Sequence, residues 1–268
     1  MNQIAPPEPQ PAIVVTGASS GIGREFARVA AGEGAYLLLT GRSQEALAEL
    51  VVELAARGAR AVSVPLDLCD PDAGERIEAA LHEHGLYCDV LVNSAGYGLY
   101  GPAAELDRAQ QLSMLDVNAR ALTDLTLRLL PGMLARRRGG VINVGSLSAY
   151  FPGPNMALYY ATKAYVRSFS DALHAEVAGT GVTVTGVNPG PVRTDFFRRS
   201  NAHVSHMSKL VARLDAAHVA KAGWRAFKAG RREVIPSLTH RMMALGAKVA
   251  PRAWTLWLSG LLLRRRED

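Results

Sequence analysis

The sequence predicts a doubly wound α/β domain, with a seven-stranded, mostly parallel sheet and helices on both of its faces. Two observations indicate this class. Short apolar runs alternate along the chain with longer helical patterns, as repeated right-handed βα units require. Most of these runs are continuously apolar, which is typical of parallel strands that helices cover on both sides. No linker or shift in composition divides the 268 residues, so we expect one domain.

The strands are predicted from the apolar runs. Each run is short and is bounded by glycine, proline or polar residues, as buried strands usually are. In chain order the predicted strands are 12–16 (AIVVT), 35–40 (AYLLLT), 61–66 (AVSVPL), 89–93 (DVLVN), 141–145 (VINVG), 182–187 (VTVTGV) and 232–235 (REVI).

The helices are predicted between these strands, for example at 43–57, 72–84, 107–135 and 157–178. Proline lacks an N–H donor, so Pro131 should kink or end the third of them. The fourth carries four apolar residues at every fourth position, and this spacing predicts a buried stripe. They are Tyr165, Phe169, Leu173 and Val177.

The two chain ends differ in composition from the predicted domain, which we place at 12–250. Residues 1–11 are polar and proline-rich and are expected to form a flexible leader rather than a secretory signal. The tail at 251–268 is hydrophobic and then basic. Its apolar stretch, 253–263, is too short to cross a bilayer.

Charge and cysteine usage exclude some classes of function. The net charge is +6, but the basic clusters are short and scattered, so we expect a solvated surface and no nucleic-acid partner. Cys69 and Cys88 lack the spacing of a metal or redox motif. They indicate a reducing, cytoplasmic setting with no metal site, and Cys88 is expected in the core.

A glycine-rich loop, TGASSGIG at 16–23, directly follows the first predicted strand and opens a helix. A plain strand-to-helix turn is the alternative. The flanking strand and helix favour nucleotide binding, because small residues let the backbone approach a pyrophosphate at the helix N-terminus. The candidate contacts are Gly17, Ser19, Ser20, Gly21, Ile22 and Gly23.

The end of the second strand predicts which nucleotide binds. It reads LLLTGRS, with Arg42 and no acidic residue to bind a ribose 2′-hydroxyl. A charge-assisted hydrogen bond from Arg42 to a 2′-phosphate would contribute about 1.5–3 kcal/mol. NADP(H) is therefore favoured over NAD(H). Arg24, beside the glycine loop, could add positive electrostatic potential there or could be a surface residue with no role in binding. Asp67 and Leu68 could reach the adenine, with a helix-capping or loop role for Asp67 as the alternative.

Three residues form a candidate catalytic set. Ser146 ends a predicted strand, where α/β sheets place ligands, and Tyr159 and Lys163 share one helix face. The pKa of a free tyrosine is about 10 and a neighbouring ammonium lowers it, which suits proton transfer near neutral pH. The alternative is that Tyr159 is a core residue and Lys163 a surface residue, with no catalytic role for either. A serine hydrolase is not favoured, because NVGSLSA does not match G-x-S-x-G.

With these motifs in order, the chain resembles a short-chain dehydrogenase/reductase of the NADP(H)-linked branch, closely over residues 12 to about 195. The resemblance implies a Rossmann-type fold and hydride transfer between NADP(H) and a carbonyl or secondary alcohol. It also implies a homodimer or homotetramer paired through the helices at 107–135 and 157–178. The matching segments are TGASSGIG, NSAG at 93–96, Asn118 in VNARAL, Ser146, YYATK at 159–163 and PGPVRT at 189–194.

The resemblance also implies roles for single residues. Tyr159 would exchange the proton, Ser146 would orient the substrate oxygen, and Lys163 would lower the tyrosine pKa and hold the ribose hydroxyls. Asn118 would complete a proton relay through an ordered water to Lys163. Asn93, Ala95 and Gly96 would support the sheet centre and the adenine ribose. Pro189, Gly190 and Val192 would wall the nicotinamide, with Thr194 near the amide or pyrophosphate.

The substrate region is predicted less sharply. A lid is implied at about 195–215, and the aromatic segments 97–100 and 150–156 should line the same pocket, which suggests a fairly apolar small-molecule substrate. Core or interface rings are the alternative. The lid candidates are Phe196, Phe197 and Met207 for apolar contact, and Arg198, Arg199, His203 and His206 for polar contact.

Two further questions stay open at this point. The tail at 253–266 could pack on the lid or a sister subunit, or could contact a membrane peripherally. A non-catalytic NADP-binding regulator and a cofactor-retaining epimerase or dehydratase are the alternative functions on such a fold.

Overall fold

The computed structural model describes residues 8–200, 202 and 214–264. Within these ranges the chain forms a seven-stranded sheet in the order β3-β2-β1-β4-β5-β6-β7, and every neighbouring pair is parallel. The order turns back between β1 and β4, so the two halves wind outward from the centre. The doubly wound α/β prediction is confirmed.

All seven predicted strands are present, with ends shifted by up to three residues. β1 begins at Gln10, inside the segment expected to be the leader. The strands are β1 Gln10–Thr16, β2 Tyr36–Gly41, β3 Ala61–Pro65, β4 Leu86–Asn93, β5 Gly140–Val144, β6 Thr183–Val187 and β7 Glu233–Val234.

Helices cover both faces of the sheet and form two hydrophobic layers with it. None of the helices in the described ranges is both long and apolar enough to span a bilayer. They are α1 Gly21–Ala31, α2 Gln44–Ala55, α3 Ala73–Glu83, α4 Arg108–Leu115, α5 Leu122–Arg136, α6 Ala157–Glu176, α7 Phe196–Arg199, α8 Ala216–Lys228, α9 Leu238–Val249 and α10 Arg252–Leu262.

The long helix expected at 107–135 differs from the prediction in two ways. A π-helical turn, Asp116–Ala121, separates α4 from α5. Pro131 does not end α5, which continues to Arg136. Pro131 is exposed while Leu129, Leu130 and Met133 are buried. Their burial offsets the one backbone hydrogen bond that the proline removes.

The stripe expected on α6 is only half correct. Leu173 and Val177 are buried, but Tyr165 is 43% exposed. A helix has 3.6 residues per turn, so each step of four residues advances about 40° around the axis. The four residues therefore drift from the solvent side to the core instead of sharing one face.

Candidate active site

The glycine loop packs so tightly that side chains are excluded from it. Gly17 has φ +66°, and a Cβ atom there would lie 2.8 Å from the Ala95 Cα atom. A Cβ at Gly23 would overlap the Gly17 carbonyl. This close packing holds the N-terminus of α1 at the cavity wall. The Ser20 side chain makes no capping hydrogen bond, so the first-turn N–H groups can receive an anion.

The residues expected to select the nucleotide lie at the end of β2 and β3. Arg42 is exposed and lines the cavity, while Ser43 caps α2 by accepting a hydrogen bond from the Ala46 N–H at 3.2 Å. Asp67 also lines the cavity, but its Oδ1 accepts from the Cys69 N–H at 3.0 Å, so of the helix-capping and loop roles left open for it, this contact supports the loop role. Leu68 lies beside it in the wall.

Arg24 belongs to an ion-pair cluster between α1 and α2 rather than to this wall. Its guanidinium lies 3.5 Å from the Glu53 carboxylate. Arg28 contacts both Glu53 and Glu25. The surface role that the sequence left open for Arg24 is therefore the one its contacts support.

Ser146, Tyr159 and Lys163 come together at one wall of the cavity. Ser146 follows β5, and its N–H donates to Asn188 Oδ1 at 3.1 Å. Tyr159 and Lys163 are buried on α6. Lys163 Nζ donates to the Val144 carbonyl at 2.9 Å and lies 5.9 Å from the centre of the Tyr159 ring. The structure thus brings the predicted set into one site.

Burial sets the charge states of this site. It raises the pKa of Tyr159, while the hydroxyls of Ser146 and Ser148 act in the opposite direction. Burial also lowers the pKa of Lys163 to about 8. The downward shift of the tyrosine pKa expected from Lys163 is therefore not what the protein alone produces, because desolvation of the phenol is the largest effect. A positive charge bound beside Tyr159 would counter it.

Asn118 lies in the π-helical turn and is buried. Its Oδ1 accepts from the Tyr97 N–H at 3.0 Å, and its Nδ2 donates to the Tyr97 carbonyl at 2.9 Å and to Thr162 Oγ1 at 3.1 Å. The side chain therefore clamps the loop after β4. A Cβ at Gly96 would meet both Asn118 Oδ1, at 3.0 Å, and Lys163 Nζ, at 3.4 Å.

The residues of the NSAG segment divide between two tasks. Asn93 is buried at the sheet centre, where its Nδ2 donates to Asn143 Oδ1 at 3.0 Å and to Thr126 Oγ1 at 3.1 Å. Of the four described residues in this segment, Asn93 is the one that does not line the cavity. Thr16 Oγ1 holds the backbone N–H groups of the next two residues, so Ala95 stays at the wall with Gly96.

The PGPVRT segment forms another part of the wall, with Pro189, Gly190, Val192 and Thr194 all lining the cavity. The Pro189 carbonyl accepts from the Leu147 N–H at 2.8 Å, which joins this segment to the loop of Ser146. A Cβ at Gly190 would overlap the buried His240 ring of α9.

Sequence reasoning missed the support behind Ser146. Asn188 connects two groups: its Oδ1 accepts from the Ser146 N–H, and its Nδ2 donates to Glu233 Oε1 at 2.8 Å. Glu233 also accepts from the hydroxyl of Tyr150. Asn188 directly precedes the recognised PGPVRT segment, which was the available signal. Nothing in the sequence pairs it with Glu233 on β7.

The cavity has a volume of about 990 Å³. The Tyr159 ring packs against the Phe196 ring at a tilt of 48°, with ring centres 5.2 Å apart. Sequence reasoning also missed that the C-terminal helices line this cavity. Its apolar wall includes Leu99, Phe151, Met156, Phe196, Leu258 and Leu262.

The lid is described only in part. Arg198 is exposed and pairs with Asp195 at 3.0 Å. Its predicted polar contact with the substrate therefore stays a prediction. The other lid candidates fall outside the described residues or side chains: Phe197, Arg199, His203, His206 and Met207.

Comparisons with known proteins agree with this geometry. A family model described as short chain dehydrogenase matches residues 11–205. The chain is 38% identical over 186 residues to sulfoacetaldehyde reductase 2 of Chromohalobacter salexigens, covering 69% of this chain and 73% of that protein. It is 37% identical over 185 residues to serine 3-dehydrogenase of Agrobacterium fabrum, with 69% and 73% covered.

Solved structures give the same result. A short-chain dehydrogenase from Sphingobium yanoikuyae in complex with NADPH superposes with a TM-score of 0.79 at 28% identity, covering 89% of this chain and 93% of that one. The closed form of serine dehydrogenase complexed with NADP+ superposes with a TM-score of 0.74 at 32% identity, covering 84% and 93%.

Proposed function

The chain belongs to the short-chain dehydrogenase family, and on that premise we propose that it transfers hydride between NADP(H) and the carbon of a carbonyl or secondary alcohol. The observation that carries the proposal is one cavity whose wall contains both the glycine loop and the set Ser146, Tyr159 and Lys163. The glycine loop would hold the nucleotide in the same cavity as the proton-transferring residues.

The residues present fit an NADP(H) cofactor. Gly17, Gly23 and Gly96 keep clear a cradle that Cβ atoms would fill. The N-terminus of α1 suits the pyrophosphate, and the exposed guanidinium of Arg42 suits a 2′-phosphate. Ala95, Lys163 and the PGPVRT segment would hold the rest. When bound, the cofactor supplies the nicotinamide carbon that gives or takes the hydride.

The chain's own residues manage the proton and the substrate oxygen. Ser146 Oγ donates a hydrogen bond to that oxygen and orients it. Tyr159 gives its hydroxyl proton to the oxygen in reduction and takes it back in oxidation. With a pKa of about 8, Lys163 is mostly protonated at neutral pH, so its ammonium stabilises the phenolate that remains. Asn118 fixes the adjoining loop and positions the relay water.

The substrate is a fairly apolar carbonyl compound, since aromatic and aliphatic side chains form the wall beyond Tyr159. The named substrates of the relatives, sulfoacetaldehyde and serine, are polar. They do not carry over, because the helices that complete this wall lie beyond residue 205, outside the family match.

The test is NADPH oxidation across a panel of chemically distinct carbonyls. Tyr159→Phe should lower turnover at least ~100-fold while NADPH binding, measured by fluorescence titration, is kept. Near-native turnover by this variant would refute the proposal. Tight NADPH binding with no oxidation by wild type would favour the regulator, and substrate conversion without net NADPH consumption would favour the epimerase or dehydratase.

Association and location complete the proposal. The enzyme works in the cytoplasm as a homodimer or homotetramer joined through α4, α5 and α6. Four exposed apolar residues on these helices support that surface: Leu112, Leu115, Leu127 and Tyr165. Light scattering on wild type and Leu127→Glu tests it, since the variant should dissociate. The tail at 253–266 makes peripheral membrane contact, as argued next.

A further inference from the structure

Helix α10 is inverted with respect to a helix at a water-facing surface. Its buried positions include Thr255 and Ser259, whose hydroxyls donate to backbone carbonyls of their own helix at 2.9 and 2.6 Å. These polar groups therefore need no water. A surface helix ordinarily buries its apolar side. Here the opposite side is exposed and apolar: Trp254, Leu256, Trp257, Leu258 and Leu261, between 43% and 70% exposed.

Helix α9 also exposes an apolar face, although its inner side buries apolar Ala244 together with His240. Its exposed apolar residues are Leu238, Met242, Leu245 and Val249, between 55% and 79% exposed and spaced to lie on one face. We call the exposed apolar residues of α9 and α10 together the tail surface. Apolar patches on this scale mark interaction sites in folded proteins.

Along the sequence, the formal charges of the segment that carries the tail surface are of one sign. No aspartate or glutamate occurs between Glu233 and Glu267. The arginines and lysine of this segment that the structure describes are all exposed: Arg241, Lys248, Arg252 and Arg264. An apolar face among cations, with no acid near it in sequence, complements an anionic and apolar partner.

We propose that the tail surface docks on an anionic lipid bilayer, from which the cavity takes lipophilic carbonyl compounds. α9 and α10 have 12 and 11 residues, so they would lie in the interface rather than cross it. Trp254 and Trp257 have the amphipathic rings that favour this depth. A second copy is a poorer occupant, because a two-fold interface would set these cations against each other.

The uptake of lipophilic carbonyl compounds from the bilayer rests on the proposed function. It also rests on the residues that α9 and α10 turn toward the cavity. Met243, Leu258 and Leu262 line the cavity. Leu258 is also 46% exposed, so the cavity wall and the tail surface meet at this residue. The Leu263 carbonyl accepts from the Tyr100 hydroxyl at 2.7 Å, which ties the tail to the loop whose residue Leu99 lines the cavity. A substrate dissolved in the bilayer would therefore enter where the protein docks.

Docking is tested by flotation with vesicles of phosphatidylcholine, with and without phosphatidylglycerol. Wild type should float only with phosphatidylglycerol, and less at high salt. The Trp254→Ser, Trp257→Ser double variant should bind about tenfold more weakly or worse. Val52→Ser is the control, since it replaces an apolar residue that is 70% exposed on α2, away from the tail surface. This variant should bind the vesicles as well as wild type does. On vesicle binding, the tryptophan emission of wild type should shift to the blue as Trp254 and Trp257 leave water. The emission of Trp224 should not change, because that residue is already buried.

The charges have their own variants. Lys248→Gln and Arg252→Gln should each weaken binding to these vesicles about fivefold. Lys221→Gln removes an exposed cation from α8 and should leave it unchanged. Wild type that does not float, or a double tryptophan variant that floats as well as wild type, would overturn docking. A dimer that this double variant dissociates, without vesicle binding, would make the tail surface an interface between copies instead.

The substrate half is tested with 2-alkanones of increasing chain length and NADPH in the presence of the same vesicles. Turnover should rise with chain length, and the double tryptophan variant should lose this gain while keeping its rate on the shortest ketone. Equal gains in both proteins would overturn it. Flotation does not depend on catalysis: if no carbonyl is reduced while flotation persists, the proposed function fails and docking stands.

Discussion

The glycine loop and the two C-terminal helices line the same cavity but are built in different ways. In the loop, backbone touches backbone, and Gly17 and Gly23 have no room for one added carbon atom. In α9 and α10, large side chains such as Trp254 and Val249 lie in the open. Backbone geometry thus determines which residues the glycine loop can hold. In α9 and α10, the residue types are instead suited to the bilayer that we propose as their partner. Substitutions should therefore damage folding and cofactor binding in one and docking in the other.

The sharpest test of this contrast is Gly23→Ala. The new methyl group would overlap the Gly17 carbonyl, and backbone cannot move away as a flexible side chain can. We expect a loss of about 3 kcal/mol in the free energy of unfolding and no measurable NADPH binding. Urea unfolding and fluorescence titration measure both. Native stability with native NADPH binding would show that the loop is looser than its contacts indicate.

This contrast also explains how much could be predicted from the sequence. Gly17, Gly23, Tyr159 and Lys163 are recognisable because local geometry requires those residue types at that spacing. The link from Ser146 through Asn188 to Glu233 is a contact across the sheet, for which one sequence holds no signal. The seven apolar runs predicted the strands, because continuous apolarity follows directly from burial on both faces.

The tail was the least predictable region for a different reason. Its apolar residues signal burial, but they do not say whether protein or lipid covers them. The stripe on α6 was half correct for a geometric reason, since a spacing of four residues turns Tyr165 away from the core that Leu173 and Val177 reach. An apolar pattern thus predicts that a residue avoids water, but it does not predict whether protein or lipid covers that residue.

The second prediction concerns Lys163, which is buried on α6, where the charge that catalysis needs opposes the stability of the fold. Its pKa falls from 10.5 to about 8 in the fold, so folding disfavours the charged form. Wild-type stability should therefore rise with pH between about 8 and 10.5, because there the unfolded chain holds more protons.

The matching variant is Lys163→Met, which should be inactive. At pH 7 it should be more stable than wild type by about 2 kcal/mol, after the lost hydrogen bond to Val144 is counted. The advantage should shrink above pH 8. Thermal unfolding across this range measures it, and a constant difference at every pH would contradict the assigned cause.

The third prediction tests whether the hydrogen bonds of Asn188 to Ser146 and Glu233 serve both stability and catalysis, as the packing of the glycine loop is expected to serve both stability and cofactor binding. Asn188→Ala leaves the Ser146 N–H and Glu233 Oε1 without this partner. We expect a loss of about 1–2 kcal/mol in stability, together with a lower kcat at little changed KM for NADPH. Steady-state kinetics separate the two constants. Unchanged kcat in a destabilised protein would reduce Asn188 to a structural residue.

The smallest effect is expected from a glycine in α9, and it has the opposite sign to Gly23→Ala. Gly246 lies in α9 with no atom within 4 Å of a Cβ built on it. Gly246→Ala should therefore gain about 1 kcal/mol from helix propensity, with NADPH binding unchanged. Thermal unfolding beside Gly23→Ala gives the direct comparison, since each variant adds one methyl group. A destabilised Gly246→Ala would mean that α9 packs against something on its outer side even without lipid, and the division between a rigid cradle and an open tail would not hold.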